Sequence, residues 1–106
     1  MALRQLTSEE RDSARKKALA ARIARAEIKR DFAAGKLSFG DVMGKADADE
    51  AIARLKCTEL LESLPGVGRV TATKICEELG ISINRRLGGL GVKQRAALAT
   101  HLAELG

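Results

Sequence analysis

Apolar positions along this chain recur at steps of three and four, the spacing that lines one face of a helix. No run of strict alternation is long enough to predict a strand. Between Ser8 and Ala34, the positions Ala21, Ala24, Ile28 and Phe32 fall on one stripe, which marks a docked helix face. Thr7-Ser8-Glu9-Glu10 has the form of a capping box, with Glu10 reaching back three residues. Gly35 supplies the stop, and residues 2–7 form a short arm ahead of the helix. Such a helix is roughly 40 Å long at 1.5 Å per residue, so its N-terminal half is expected to project. Leu19 and Ile23 lie off the docked stripe and are expected to mark a second contact.

The remaining elements are shorter. Ser38, with Asp41 at the third position, predicts a capped helix from Phe39 to Lys45. Asp47, with Glu50, predicts another from Ala48 to Leu55. Capping explains Asp47-Ala48-Asp49-Glu50 better than calcium binding, because Ala51 and Ile52 stand where a calcium loop needs a ligand and a glycine. Thr58 is expected to cap a turn through Glu62, with Leu55, Leu60, Leu61 and Leu64 inward. Arg69 to Leu79 follows as a helix with Ala72, Ile75, Cys76 and Leu79 inward and Gly80 at its C′ position. Ile81 to Leu87 is a connector with one helical turn, and Gly88-Gly89-Leu90-Gly91 is a glycine turn. The last helix runs from Val92 to about Leu105, with Ala96, Ala99 and Leu102 inward.

Composition adds a limit and a direction. A chain of 106 residues, 45% apolar, suits one domain with a modest core. No secretory apolar region and no run of membrane-spanning length is present, which suggests a soluble, cytoplasmic protein. Cys57 and Cys76 lack a zinc or redox spacing and are expected to be buried thiols. The net charge of +5 favours an acidic polymer as partner. Residues 4–36 carry ten Lys/Arg against five Asp/Glu, residues 37–62 three against six, and residues 65–95 six against two. Two basic regions therefore flank an acidic middle. Arg11, Arg15, Arg22, Arg25 and Lys29 form a basic stripe on the long helix, beyond what solubility of a helix requires.

The candidate chemistry lies in Leu64-Pro65-Gly66-Val67-Gly68-Arg69-Val70. Pro65 ends one helix, and the glycines leave backbone amides uncovered where the next begins. A helix start with bare amides suits a phosphate, although the stretch serves equally well as a plain connector. The second glycine turn tips the balance. Each turn opens a helix, and each has basic company: Arg69 and Lys74 at the first, Arg85, Arg86 and Lys93 at the second. Dinucleotide and P-loop fingerprints are incomplete, and no nucleophile, base or metal set is found; His101 reads as an ordinary histidine. With two Phe and no Tyr or Trp, base stacking is poorly supplied, so duplex DNA or structured RNA is the better substrate.

The run Leu60-Leu61-Glu62-Ser63-Leu64-Pro65-Gly66-Val67-Gly68, then Gly80-Ile81, Arg85-Arg86 and Gly89-Leu90-Gly91, resembles the actinobacterial integration host factor family. The resemblance runs from Met1-Ala2-Leu3 to near the C-terminus. It implies an all-α fold, with a long N-terminal helix packed on a small helix-two-turns-helix domain. It also implies one domain over 1–106: arm and long helix in 1–36, short helices in 37–62, and the helix-two-turns-helix DNA-binding region in 63–106. The implied protein is a nucleoid-associated, non-enzymatic monomer without cofactor or metal. It would bind double-stranded DNA through its phosphates with little sequence preference, bend it, and assist phage integration alongside integrase complexes. By position, Gly66, Val67, Gly68 and Arg69 would serve one phosphate region and Gly89, Gly91 and Lys93 another, with Arg85 and Arg86 between them. Lys56 and Ser63 would reach the backbone beside the first turn, and Arg22, Arg25 and Lys29 would come from the long helix. Two departures stand out: Arg4-Gln5 replaces a proline-rich start, and Gly88 replaces a larger, often basic residue, which is expected to weaken or loosen the second turn. The rival readings are a ribosomal RNA-binding protein of the same kind, a DNA glycosylase relative and a helical protein-interaction module. The glycosylase reading lacks its N-terminal proline and zinc finger, and the ribosomal reading lacks a long basic tail.

Overall fold

The computed structural model describes residues 5–105; Met1 to Arg4, most of the expected arm, and Gly106 lie outside the described residues. The first helix, α1, spans Ser8–Ala33. Its capping box is complete: the Glu10 amide donates to Thr7 Oγ1 at 3.1 Å and the Thr7 amide to Glu10 Oε1 at 3.4 Å. Gly35 ends it at φ 76°, a left-handed angle that a side chain would strain. Ile28 and Phe32 are buried and Ala24 packs beside them, so the docked stripe is the expected one. Residues 11–20 are exposed along their whole length. The radius of gyration, 16.0 Å, accordingly exceeds the about 13 Å of a compact chain this long. Leu19 and Ile23 stay about half exposed, and nothing among the described residues covers them.

The acidic middle folds differently from expectation. Ser38 and Asp41 form the expected capping box, which holds the Asp41 carboxyl below its ordinary value. That helix, α2, continues past Lys45 to span Phe39–Ala48. Asp47 is therefore not a cap. Asp49 ends α2 and caps α3, Glu50–Ala53, accepting from the Ala51 amide at 2.9 Å. The Asp47 carboxylate instead meets Arg95, 48 residues away, in two parallel bonds of 2.9 and 3.0 Å. Helix α4 spans Cys57–Glu62 and starts one residue before Thr58, which caps nothing. Its first amide, on Cys57, donates to Arg85 O at 3.0 Å, and Leu87 N–H donates to Leu55 O at 2.9 Å. These bonds frame an isolated antiparallel bridge between Lys56 and Arg86.

Helix α5 spans Arg69–Glu78, with Gly80 at φ 70° just beyond it. The connector 81–87 contains one turn, closed by the Arg85 N–H bond to Ser82 O at 2.9 Å, and a 3-10 turn follows over Leu87–Gly89. Helix α6 spans Val92–Leu105. Its inward residue is Leu98, fully buried, with Leu102 packed partly beside it; Ala96 and Ala99 are exposed, against expectation. An alanine carries too little apolar area to orient a helix when a leucine is next to it.

One continuous core joins the C-terminal half of α1 to every later element, with Val42, Leu55, Leu60, Leu61, Leu87 and Leu98 at its centre. Cys57 and Cys76 are free and buried there, as expected, with their thiols facing each other. Burial, with the neighbouring thiol, pushes Cys57 up to about 12; burial also raises Cys76, against a smaller lowering by its hydrogen bond with Cys57, so both stay protonated. The fold is all-α, and no helix among the described residues is long and apolar enough to cross a membrane.

Candidate nucleic-acid interface

A helix start carries partial positive charge and unsatisfied amides, and most helices here answer it internally. Acids occupy the first turn of α1 (Glu9, Glu10), α2 (Asp41), α3 (Glu50) and α4 (Glu59). The first turns of α5 and α6 contain none. Those are the two helices that open from glycine turns, and Gly68 places no side-chain cap on α5.

The two glycines of the first turn have different duties. Gly66 sits at φ 80° and needs to be glycine for its backbone angle. Gly68 has φ −89° and ψ −176°, ordinary extended backbone, with open space where a Cβ would stand. Gly68 therefore has no conformational need to be glycine. The Val67 amide donates to Leu64 O at 3.1 Å, whereas those of Gly66, Gly68, Arg69, Val70 and Thr71 donate to no partner among the described residues. The Ser63 hydroxyl donates to Leu60 O at 2.6 Å, so its hydrogen already has a partner.

The second turn is closed on itself. Gly89 N–H donates to Arg86 O at 2.9 Å, and Gly91 N–H to Gln94 Oε1 at 3.0 Å. The bare amides there belong to the first residues of α6, Val92, Lys93 and Gln94, ahead of the Arg95 N–H bond to Gly91 O. Gly88 does not loosen the loop: a Cβ on it would lie 2.9 Å from Ala53 Cβ and 3.3 Å from Ala53 O. Glycine is what lets the turn close against α3. Arg95 pins the same turn, donating through Nε to Leu90 O at 3.3 Å while it holds Asp47. This pairing keeps the Asp47 carboxyl below its ordinary range.

The arginines between the turns part company. Arg86 forms the bridge to Lys56 and Arg85 precedes it, and successive residues of extended chain point to opposite sides. Arg85 Nη1 donates to Gly89 O at 3.3 Å and so joins the second turn. Arg86 Nη1 donates to Arg54 O at 3.3 Å and enters a cleft of about 340 Å³ with Arg25, Arg54 and Lys56. Arg25 also donates to Ala51 O at 3.4 Å, which anchors α1 on α3. Lys29 and Ser63 share the adjoining cleft, of about 320 Å³, and Glu59 borders both. Arg22 is exposed and lines neither cleft. Arg69 and Lys93 are exposed at the starts of α5 and α6, and Lys74 lines an apolar groove of about 870 Å³ with His101 and Val67.

Of the residues singled out in the sequence, the structure thus gathers Gly66, Gly68 and Arg69 at one bare helix start. It gathers Arg85, Gly89, Gly91 and Lys93 at the other, and Arg25, Lys56 and Arg86 in a cleft beside Lys29 and Ser63. Arg54 was missed; its place two residues before Lys56 was the available signal.

Residues 32–102 match the family model described as an S13-like H2TH domain. The chain is similar to the integration host factor of Mycobacterium tuberculosis, 49% identical over 92% of this chain and 93% of that protein. It is similar also to the integration host factor of Streptomyces coelicolor, 44% identical over 100% of this chain and 99% of that one. Among solved structures, sIHF bound to an 8-bp palindromic DNA matches at a TM-score of 0.78 and 44% identity, covering 81% of this chain and 97% of that chain.

Proposed function

The chain belongs to the integration host factor family, and on that premise we propose that it is an architectural protein that grips duplex DNA by its backbone phosphates. The observation that carries this reading is the pair of acid-free helix starts, α5 and α6, where the other α-helices among the described residues, α1 to α4, each place a carboxylate in the first turn. Bare amides and a helix dipole call for an anion, and a phosphate supplies one. The similarity to a structure containing DNA supports the choice of polymer. Amides and guanidinium groups directed at phosphate carry no sequence information, so binding is nearly uniform across sequences.

Each candidate residue then has a role. Gly66, Gly68 and Arg69 hold one phosphate region, with Val67 shaping the turn from beneath. Lys93, Arg85 and the first amides of α6 hold the second, where Gly89 and Gly91 allow close approach instead of donating. Arg25, Lys56 and Arg86, with Lys29, Ser63 and the exposed Arg22 alongside, form a third contact from the α1 side. A duplex that touches the turns and this cleft together is bent, because the contacts lie on different sides of the Arg85-Arg86 segment. The protein does no covalent chemistry and needs no cofactor. It acts as a monomer in the nucleoid, and the bend it imposes assists phage integrase complexes.

The test is competition among polymers. Random-sequence duplex should displace a labelled duplex more effectively than single strands or structured RNA of equal length, and the protein should accelerate ligation of short duplexes into circles. Preference for the RNA would move the chain to the ribosomal reading, and unchanged circularisation would remove bending.

A further inference from the structure

Gln94 is the third residue of α6, and its side chain makes two hydrogen bonds in opposite directions. Oε1 accepts from the Gly91 amide at 3.0 Å, and Nε2 donates to Gly80 O at 3.2 Å. Gly91 opens α6, while Gly80 is the left-handed residue that terminates α5. The two helices rest on different neighbours, α5 on α4 and α6 on α2. Among the described residues, no other hydrogen bond joins α5 and its glycine cap to the second turn and α6.

We infer that Gln94 is a positioning residue that fixes the separation between the two phosphate-binding helix starts, and so the register in which they meet a duplex. The inference rests on the phosphate reading above. Helix α5 is a rigid spacer about 15 Å long at 1.5 Å per residue, with a phosphate site at one end and the Gln94 bond at the other. The same side chain that closes the Gly91 amide ties that turn to the far end of the spacer. The amide side chain suits both tasks, since it carries an acceptor and a donor a fixed distance apart. A glutamate would keep the Gly91 bond and lose the Gly80 bond; a methionine fills the same space and loses both.

The experiment is a hydroxyl-radical footprint of the full chain at saturation on a short duplex of one defined sequence, just long enough to seat a single protein in one register, for the wild type, Gln94→Met and Gln94→Glu, with thermal melts in parallel. The wild type should protect two clusters of sugars at a fixed spacing. In Gln94→Met the second cluster should fade, affinity should fall about five- to tenfold, and the slope of log K against log salt should flatten by roughly 0.9, one phosphate. Gln94→Glu keeps the cap of α6, so it stays folded should the methionine variant not. Its second cluster should shift relative to the first; a cluster that only fades in place reports the acid added to the first turn of α6 and would overturn the positioning role. A lower melting temperature with both clusters, their spacing and the salt slope intact would overturn the positioning role. No wild-type footprint at all would instead sink the DNA reading itself.

Discussion

Gly66 and Gly68, two residues apart, should fail in different ways when each becomes alanine. Gly66 holds φ 80° with nothing within 4 Å of the missing Cβ, so alanine there meets no clash and suffers only the left-handed backbone strain. That strain is about 1–2 kcal/mol for an L-residue. At roughly 4–8 °C per kcal/mol for a domain near this size, Gly66→Ala should melt several degrees lower. Gly68 has φ −89° and equally open surroundings, so alanine is tolerated in the free protein. By restricting the unfolded chain it should even add about 0.4–1 kcal/mol of stability. Its Cβ, however, would occupy the open space through which a phosphate is proposed to approach this helix start. Loss of one hydrogen bond to a charged group is worth about 1.5–3 kcal/mol, or roughly ten- to hundredfold in affinity. Thermal melts by circular dichroism and anisotropy titrations of a labelled duplex read the two effects separately. A Gly68→Ala protein that binds DNA like the wild type would refute the phosphate cradle. A Gly66→Ala protein with an unchanged melting temperature would refute the strain argument.

The α1 contact is tested by changing Arg22, Arg25 and Lys29 together to alanine: the salt slope should lose roughly 0.9 per phosphate released, and an unchanged slope would reduce the stripe to a solvated face. Gly88→Ala places a Cβ 2.9 Å from Ala53 Cβ and should destabilise the fold, by about 1–3 kcal/mol if it behaves like other overpacked sites; a wild-type urea midpoint would show that α3 yields freely. Acid should weaken the protein through Asp41 and Asp47, whose carboxyls the fold holds below their ordinary 3.8. Their contribution is present above that value and lost as pH falls through the lowered folded values, so urea midpoints should drop there, and less steeply in Asp47→Asn.

What was legible in the sequence was mostly what neighbours in the chain decide. The capping boxes of Thr7 with Glu10 and Ser38 with Asp41, and the glycine stops at Gly35 and Gly80, involve residues within a few positions of one another. Both glycine turns and the basic residues around them were visible on the same terms. The errors came where a distant partner decided. Asp47 looked like a cap because its real partner, Arg95, lies 48 residues on. Leu98 won the inward face of α6 from Ala96 and Ala99, because the core it enters is built by other elements. Arg85 and Arg86 separate only because Arg86 pairs with Lys56 across the chain. The availability of an amide was equally hidden. That Val67, Gly89 and Gly91 already donate, while Gly66 and Gly68 do not, is a property of folded turns and not of their composition.

The central claim is that two bare helix starts and the basic cleft beside them hold the phosphates of a duplex. A titration of random-sequence duplex DNA over a range of salt concentrations tests it most directly. With Arg25, Lys56, Arg85, Arg86 and Lys93 each near a phosphate, log K should fall linearly with log salt at a slope of roughly −4 or steeper, nearly identical for unrelated sequences. A slope near zero, or tight binding confined to one sequence, would contradict it.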